Sequence, residues 1–213
     1  MDDKLPVIIF GAGGLGAAAL DAFQSNGVVV YGFLDEEEEL HGTEINYVSV
    51  LGNPDDDGFL KLIGKKCAAF VASDDNDYRE STVEMLNDRR KVMPANAVHA
   101  QSMIAATAEI GYGNFVHMGA VVNSQAKVSN HCLIQPNAVV NYKAQLGDFV
   151  QVGAGSNIGA NVQVGERAFI GSGVTVVSGI KIGKNARIGA GSVVIKDVAE
   201  GETVFGNPAQ AVK

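Results

Sequence analysis

Residues 140–165 read VNYKAQLGDFVQVGAGSNIGANVQVG, and an aliphatic side chain returns in them every six positions: Val140, Leu146, Val152, Ile158 and Val164. The step extends outward without a gap. It runs back through Ile134, Val128, Val122, Val116 and Ile110 to Ile104, and on through Ile170, Val176, Ile182 and Ile188 to Val194. Sixteen consecutive hits exclude chance. Neither a 3.6-residue helix period nor simple strand alternation predicts a strict six. Four residues after each anchor the side chain is usually small or β-branched, as at Ala120, Ala126, Cys132, Ala138, Ala144 and Ser156. Glycine follows the anchor in eight hexads, Gly147, Gly153, Gly159 and Gly165 among them, and is expected to supply the backbone angles of a tight corner. A fixed six-residue repeat is the mark of a parallel β-helix, with one short strand and one turn per hexad and the anchors turned into a narrow core. Its coils stack at the interstrand distance of about 4.8 Å. The last segment, GETVFGNPAQAVK (201–213), is expected to cap the stack.

Upstream of the repeat the pattern changes. LPVIIF (5–10) is a continuous apolar run, as in a buried parallel strand. GAGGLG and a helix over 15–27 follow, then a strand over 28–34 that ends at Asp35. DEEEEL (35–40) reads as an acidic loop, 66–73 as a third strand, 77–90 as a helix and 91–93 as a short fourth strand. This is βαβ logic. The expected organisation is a Rossmann-like α/β domain over 1–95 and a β-helix over 96–213.

Composition narrows the function classes. The chain has 213 residues, is 46% hydrophobic and carries a formal charge of −8. An acidic chain without a basic cluster argues against nucleic acid. No apolar run is long enough to span a membrane. The start, MDDKLPVIIFGAGG, lacks a signal-peptide layout. Cys67 and Cys132 stand 65 residues apart, neither a disulfide framework nor a zinc spacing, and read as buried thiols of a cytoplasmic protein.

Between a strand and a helix, the glycines Gly11, Gly13 and Gly14 allow a phosphate to approach the backbone at the helix N-terminus. Asp35 and Glu36 follow the second strand, where an acidic side chain can meet ribose or base. The plainer alternative is a tight turn that packs helix on sheet. A nicotinamide-dependent oxidoreductase is disfavoured, because a second mononucleotide half has no room.

The hexads, GAGGLG, FLDEEEELHGTEINYVSVLG (33–52), VASDDNDYR (71–79), AVHAQSMI (97–104) and GNPA (206–209), taken in that order, resemble the hexapeptide-repeat nucleotide-sugar N-acetyltransferases. These are the bacillosamine- and perosamine-type enzymes and their sialic-acid O-acetyltransferase-like relatives. The resemblance covers essentially the whole chain. It implies a left-handed β-helix, opposite to the general crossover rule. It implies a trimer with acetyl-CoA between subunits, a UDP- or GDP-linked amino sugar on the small domain, and a histidine base with an acidic helper. It also implies a role in cell-surface glycan synthesis.

On the resemblance, Tyr142 stands at the family's histidine, Lys143 at its acidic partner and Gln151 at a second histidine that meets the acetyl group. Tyrosine, with an ordinary pKa of about 10, is a weak base near neutrality unless a neighbouring ammonium such as Lys143 lowers it. The plainer alternative makes Tyr142 and Lys143 ordinary corner residues. Of the other histidines, His41 lies in the nucleotide-domain loop, His99 near the junction, and His117 and His131 in early hexads. His131 falls one coil beneath Phe149 and could approach an acetyl site. Ala160 matches a backbone N–H that meets the thioester carbonyl. Ser172, Gly173, Ala190 and Gly191 match corners along the pantetheine, and Lys196 could meet a CoA phosphate. No metal is expected, because two β-helix histidines fall short of a three-ligand zinc site. The rival is a member of the family that binds ligands without turnover.

Overall fold

A computed structural model describes residues 5–212, so the first residues of the leader reading and the last residue of the expected cap lie outside the described residues. Two compact units divide between Ala100 and Gln101, five residues beyond the expected boundary.

The first unit is an α/β Rossmann-like domain. Its elements are β1 (Val7–Phe10), α1 (Gly14–Gln24), β2 (Val30–Leu34), β3 (Glu44–Ile45), β4 (Val48–Gly52), α2 (Asp57–Leu60), β5 (Ala68–Val71) and α3 (Asn76–Arg90). The sheet order is β3-β4-β2-β1-β5, parallel except for the β3–β4 hairpin. β1 is apolar throughout because both faces are covered. Ile8 and Phe10 pack with Val83 and Leu86 of α3. On the other face Phe23 of α1 meets Phe70 edge-to-face, centroids 5.7 Å apart. Asp75 caps α3 by accepting from the Asp77 and Tyr78 N–H groups.

Two expectations need correction here. Residues 91–93 are not a strand: Lys91 ends α3 in the left-handed region, φ 57°, and the chain runs on irregularly to Pro94. The β3–β4 hairpin has no counterpart in the sequence reading. Its two turn residues, Asn46 and Tyr47, both take positive φ, 46° and 65°. A primed turn normally advertises itself with Asn-Gly, and tyrosine conceals it.

The second unit is the left-handed parallel β-helix. Between Met103 and Val194 the strand pairs are parallel and shifted by one coil, as in Val121↔Val139, Lys127↔Gln145 and Leu133↔Gln151. The strands are only two residues long, so the twisted-strand argument behind right-handed crossovers has little to act on. Three edges separate three flat faces, and each edge carries a ladder of left-handed residues. Edge one holds Gly113, His131, Phe149, Arg167 and Asn185; edge two Gly119, Asn137, Gly155, Gly173 and Gly191; edge three Gln125, Lys143, Asn161 and Gly179. These corner residues follow the anchor by three positions.

The glycines directly after the anchors therefore serve another purpose than the one expected. Their φ values are not in the left-handed region. A Cβ on Gly153 would lie 2.5 Å from the Ser172 N, and one on Gly165 2.5 Å from the Lys184 N. Close approach of the next coil, not corner geometry, excludes a side chain there. The anchors from Val116 to Val194 are buried, as are the small partners Ala120, Ala126, Cys132, Ala138, Ala144 and Ser156. Burial falls off toward the first coil, where Ile104 is 36% exposed. At the upper end Thr203–Gly206 pairs with Arg187–Ile188, and Ala209–Ala211 folds back antiparallel over it.

The buried anchor and the end anchor should respond differently. Ile158→Ala is expected to cost about 2–5 kcal/mol. Ile104→Ala is expected to cost only about 1–2 kcal/mol, because about a third of Ile104 is already exposed. Chemical denaturation of the two variants checks this, and equal costs would contradict an anchor core that opens at one end.

Candidate functional site

In the first unit the residues that could bind a ligand gather at one place. The sheet reverses its strand order at β1, whose neighbours are β2 and β5. Ligands bind such sheets at the carboxyl ends of the strands beside that switch. A cavity of about 380 Å³ opens there, lined by Gly11, Gly13, Gly14, Asp35, Glu36 and Tyr78 among others.

The glycines divide by task. Gly11 has φ +108°, and a Cβ on it would lie 2.4 Å from the Ala72 carbonyl oxygen. A Cβ on Gly16 would lie 2.2 Å from the Gly11 oxygen, so these two bring helix, loop and strand together. Gly13 and Gly14 would meet nothing within 4 Å. Their openness faces the cavity and leaves the first turn of α1 accessible, where unpaired N–H groups and the helix dipole favour an anion.

Asp35 does more than the sequence suggests. Its carboxylate accepts from the Ala12 N–H at 2.6 Å and from the Glu37 N–H at 2.9 Å, and its carbonyl lies 2.8 Å from His41 Nε2. It ties the glycine loop to the acidic loop, which makes it a positioning residue first. The carboxylate has lone pairs to spare for a ligand hydroxyl. Glu36 is exposed, lines the cavity, and also lines an adjoining recess of about 180 Å³ with Asn53, Pro54, Asp55, Ser81, Thr82 and Met85.

Tyr78, Ser73, Asp74 and Glu37 also line the cavity and are absent from the sequence-derived site. The loop signal was present in VASDDNDYR, directly after β5. Buried Arg79 holds that loop by donating to the Ser73 carbonyl at 2.7 Å and to the Asn76 side chain. Burial first, and then the nearby Glu36, Asp35 and Asp55 carboxylates, push the Tyr78 hydroxyl above its ordinary value of 10.0 against the opposing pull of a bond to Thr82, so it stays protonated. The lining has four carboxylates and no lysine or arginine. Any phosphate held there depends on the α1 N–H groups.

The β-helix distributes its candidate residues over different edges. Tyr142, Lys143 and Ala160 lie along edge three, with Lys196 at the same coil position higher up. Ser172, Gly173, Ala190 and Gly191 lie along edge two. His131 is on edge one, and Gln151 is on the face between edges one and two. A single chain thus separates Tyr142 from Gln151 and from the Ser172 corner.

Tyr142 is 52% exposed, and Lys143 is exposed beside it at φ 58°. No hydrogen bond links their side chains among the described residues. His131 is buried and stacks on Phe149, ring centroids 4.8 Å apart and planes at 28°. The sequence expectation of that stack holds, but Phe149 covers the ring that was to reach an acetyl group. His117 Nδ1 accepts from the Met118 N–H at 2.7 Å, which puts the proton of its neutral ring on Nε2. The Ala160 N–H donates to no group among the described residues. A shallow groove of about 640 Å³ crosses the face between edges three and one. It contains none of the expected acetyl-CoA residues. Among the described residues, no group of three or more His, Cys, Asp or Glu side chains is arranged to hold a metal ion.

Comparison with known proteins adds identity to this geometry. Residues 6–86 match the PglD N-terminal domain, and residues 143–178 and 161–196 match the bacterial transferase hexapeptide (six repeats). No curated protein sequence matches the chain. PerB from Caulobacter crescentus, solved with CoA and GDP-perosamine, is 28% identical, with TM-score 0.89 over 98% of this chain and 97% of its own. A histidine-to-alanine variant of the GDP-perosamine N-acetyltransferase of that organism, solved with the same two ligands, matches equally well. The acetyltransferase domain of PglB from Neisseria gonorrhoeae, with acetyl coenzyme A, shares the fold at 24% identity and TM-score 0.89, over 98% of this chain and 100% of its own.

The division of labour among the glycines is open to test. Gly11→Ala should cost about 1–3 kcal/mol or more, from a forbidden φ and a backbone clash. Gly13→Ala should stay within about 0.5 kcal/mol, since its backbone suits any residue. Denaturation midpoints decide, and equal losses would mean that Gly13 is needed by the fold and not by a ligand.

Proposed function

This chain belongs to the hexapeptide-repeat transferases that carry a PglD-type N-terminal domain, and on that premise we propose that it transfers an acetyl group from acetyl-CoA to the amine of a nucleotide-linked amino sugar. The observation that carries the reading is a glycine-lined switch-point cavity and a hexapeptide-repeat β-helix in one chain. In this reading the cavity takes the nucleotide, and the β-helix, whose Ala160 N–H is open, takes the donor. The 28% identical Caulobacter protein, bound to CoA and GDP-perosamine, supports the same pairing.

In this reading Gly11, Gly13, Gly14, Asp35 and Glu36 hold the nucleotide. Ser172, Gly173, Ala190 and Gly191 guide the pantetheine, Lys196 meets a CoA phosphate, and Gln151 lies near the acetyl group. The amine nitrogen attacks the thioester carbonyl carbon. The Ala160 N–H steadies the developing oxyanion. The carbon–sulfur bond then breaks, the CoA sulfur leaves as thiolate, and the proton lost by the amine passes to that sulfur, giving the amide and free CoA. Tyr142 stands where the family places its base, with Lys143 beside it. The site is non-standard, and turnover rests largely on holding the amine against the thioester.

A second copy completes the site. Edge three and the Gln151 face belong to different sides of one chain, so they meet only between chains, in a homotrimer. The face between edges two and three turns the partly buried Val121, Val139 and Val193 outward, and Val177 and Ile195 add apolar surface at its border. The setting is the cytoplasm and surface glycan synthesis; both cysteines are buried and free, and no helix among the described residues is long and apolar enough to cross a membrane.

A ligand-binding member without turnover is the second reading, favoured by the partnerless Tyr142 and Lys143 side chains. Release of free CoA from acetyl-CoA, measured over a panel of nucleotide amino sugars, separates the two. Slow, sugar-dependent release is expected from the natural sequence. Replacing Tyr142→His together with Lys143→Asp should raise the rate by about 10²- to 10⁴-fold, the usual worth of a positioned base. No release by either form, while light scattering shows a folded trimer, would overturn the transferase reading.

A further inference from the structure

We propose that the nucleotide site selects guanine over uracil and that Glu36 is the selecting residue. The inference rests on the nucleotide-sugar reading above and names the base it takes.

Glu36 lines both the switch-point cavity and the adjoining recess beyond it, so a nucleotide anchored at α1 can extend its base past this side chain. The other polar groups of the recess are partly engaged, and the Ser81 hydroxyl donates to the Tyr78 carbonyl at 3.0 Å. Asn53 Oδ1 accepts from the Asp55 N–H at 2.9 Å, which leaves the Asn53 amide group as a donor. The Thr82 hydroxyl is engaged by Tyr78. Asp55 is bonded by Arg89 at 3.0 Å, and the same guanidinium holds Asp57 at 2.5 Å. The Glu36 carboxylate makes no hydrogen bond or ion pair among the described residues.

The recess thus presents an amide donor and a two-oxygen acceptor. Guanine carries the complementary edge: the O6 acceptor, then the N1–H and N2–H donors side by side. Both donors can meet one carboxylate in a bidentate pair, with O6 toward Asn53. Uracil offers a single N–H between two carbonyl oxygens. One Glu36 oxygen would pair with it while the other faced a uracil oxygen, lone pair against lone pair. Adenine puts its N1 lone pair against the carboxylate in the same way. Discrimination therefore comes from repulsion of the wrong base as much as from attraction of the right one.

Calorimetric titration of GDP, UDP and ADP into the full chain and into Glu36→Gln tests this. GDP is expected to bind at least about tenfold more tightly than UDP or ADP, the worth of a charge-assisted pair at a partly solvated site. Glu36→Gln should weaken GDP by about tenfold and leave UDP within about twofold, because an amide cannot accept from both guanine donors. UDP binding as tightly as GDP would overturn the guanine inference and leave the nucleotide reading standing. Equal weakening of all three ligands by Glu36→Gln would also overturn it, because that pattern marks a contact to ribose. Absence of binding by all three would overturn the inference and the nucleotide-sugar reading together.

Discussion

Backbone hydrogen bonds between successive coils set the terms for the second unit. The Gln145 N–H donates to the Val162 carbonyl of the next coil at 2.8 Å, and the Asn157 N–H to Val174 at 2.7 Å; the pattern continues along the stack. To keep this ladder in register each coil must have the same length and turn at the same three places. That requirement forces eight non-glycine residues on the edges, His131, Phe149 and Arg167 among them, into the left-handed region. Such a conformation costs roughly 1–2 kcal/mol for each L-residue. It persists because the ladder and the anchors above and below over-determine it.

The same constraint decides where chemistry can sit. A coil places every position on a fixed edge or face, so residues 18 apart stack and residues 9 apart lie on different sides. Tyr142 and Ala160 are stacked, and Gln151 is across the prism from both. No side-chain adjustment within one chain changes that. The proposed joining of these residues in one site therefore requires a second chain. The first unit follows the opposite logic: three strand ends of one parallel sheet converge, and a single carboxylate, Asp35, fastens the converging loops.

What was legible in the sequence follows from these differences. The six-residue period had to be visible, since each anchor repeats the same packing problem, and β1 had to read as an unbroken apolar run. The role of the glycines after the anchors was not legible, because close approach and a positive φ select the same residue type. The β3–β4 hairpin was hidden by Tyr47 in a position that normally calls for glycine. Gly11, Gly13, Gly14, Asp35 and Glu36 were found from their places after β1 and β2, and the structure brings all five to one cavity. Tyr78 and Ser73 were missed because their contribution depends on β5 lying beside β1, a pairing between residues 61 apart in the chain. The edge assignments of Tyr142, Gln151 and Ser172 follow from simple counting by 18, yet whether they cooperate depends on a second chain that no counting supplies.

The central claim is the proposal that this β-helix keeps a site for acetyl-CoA. Calorimetric titration of acetyl-CoA into the purified protein tests it most directly, because it requires no knowledge of the acceptor. An intact donor half predicts saturable binding at about one site per chain, lost when the assembly is dissociated. No heat of binding at millimolar acetyl-CoA, from protein that remains folded and assembled, would contradict it and make residues 140–165 a β-helix scaffold without a donor.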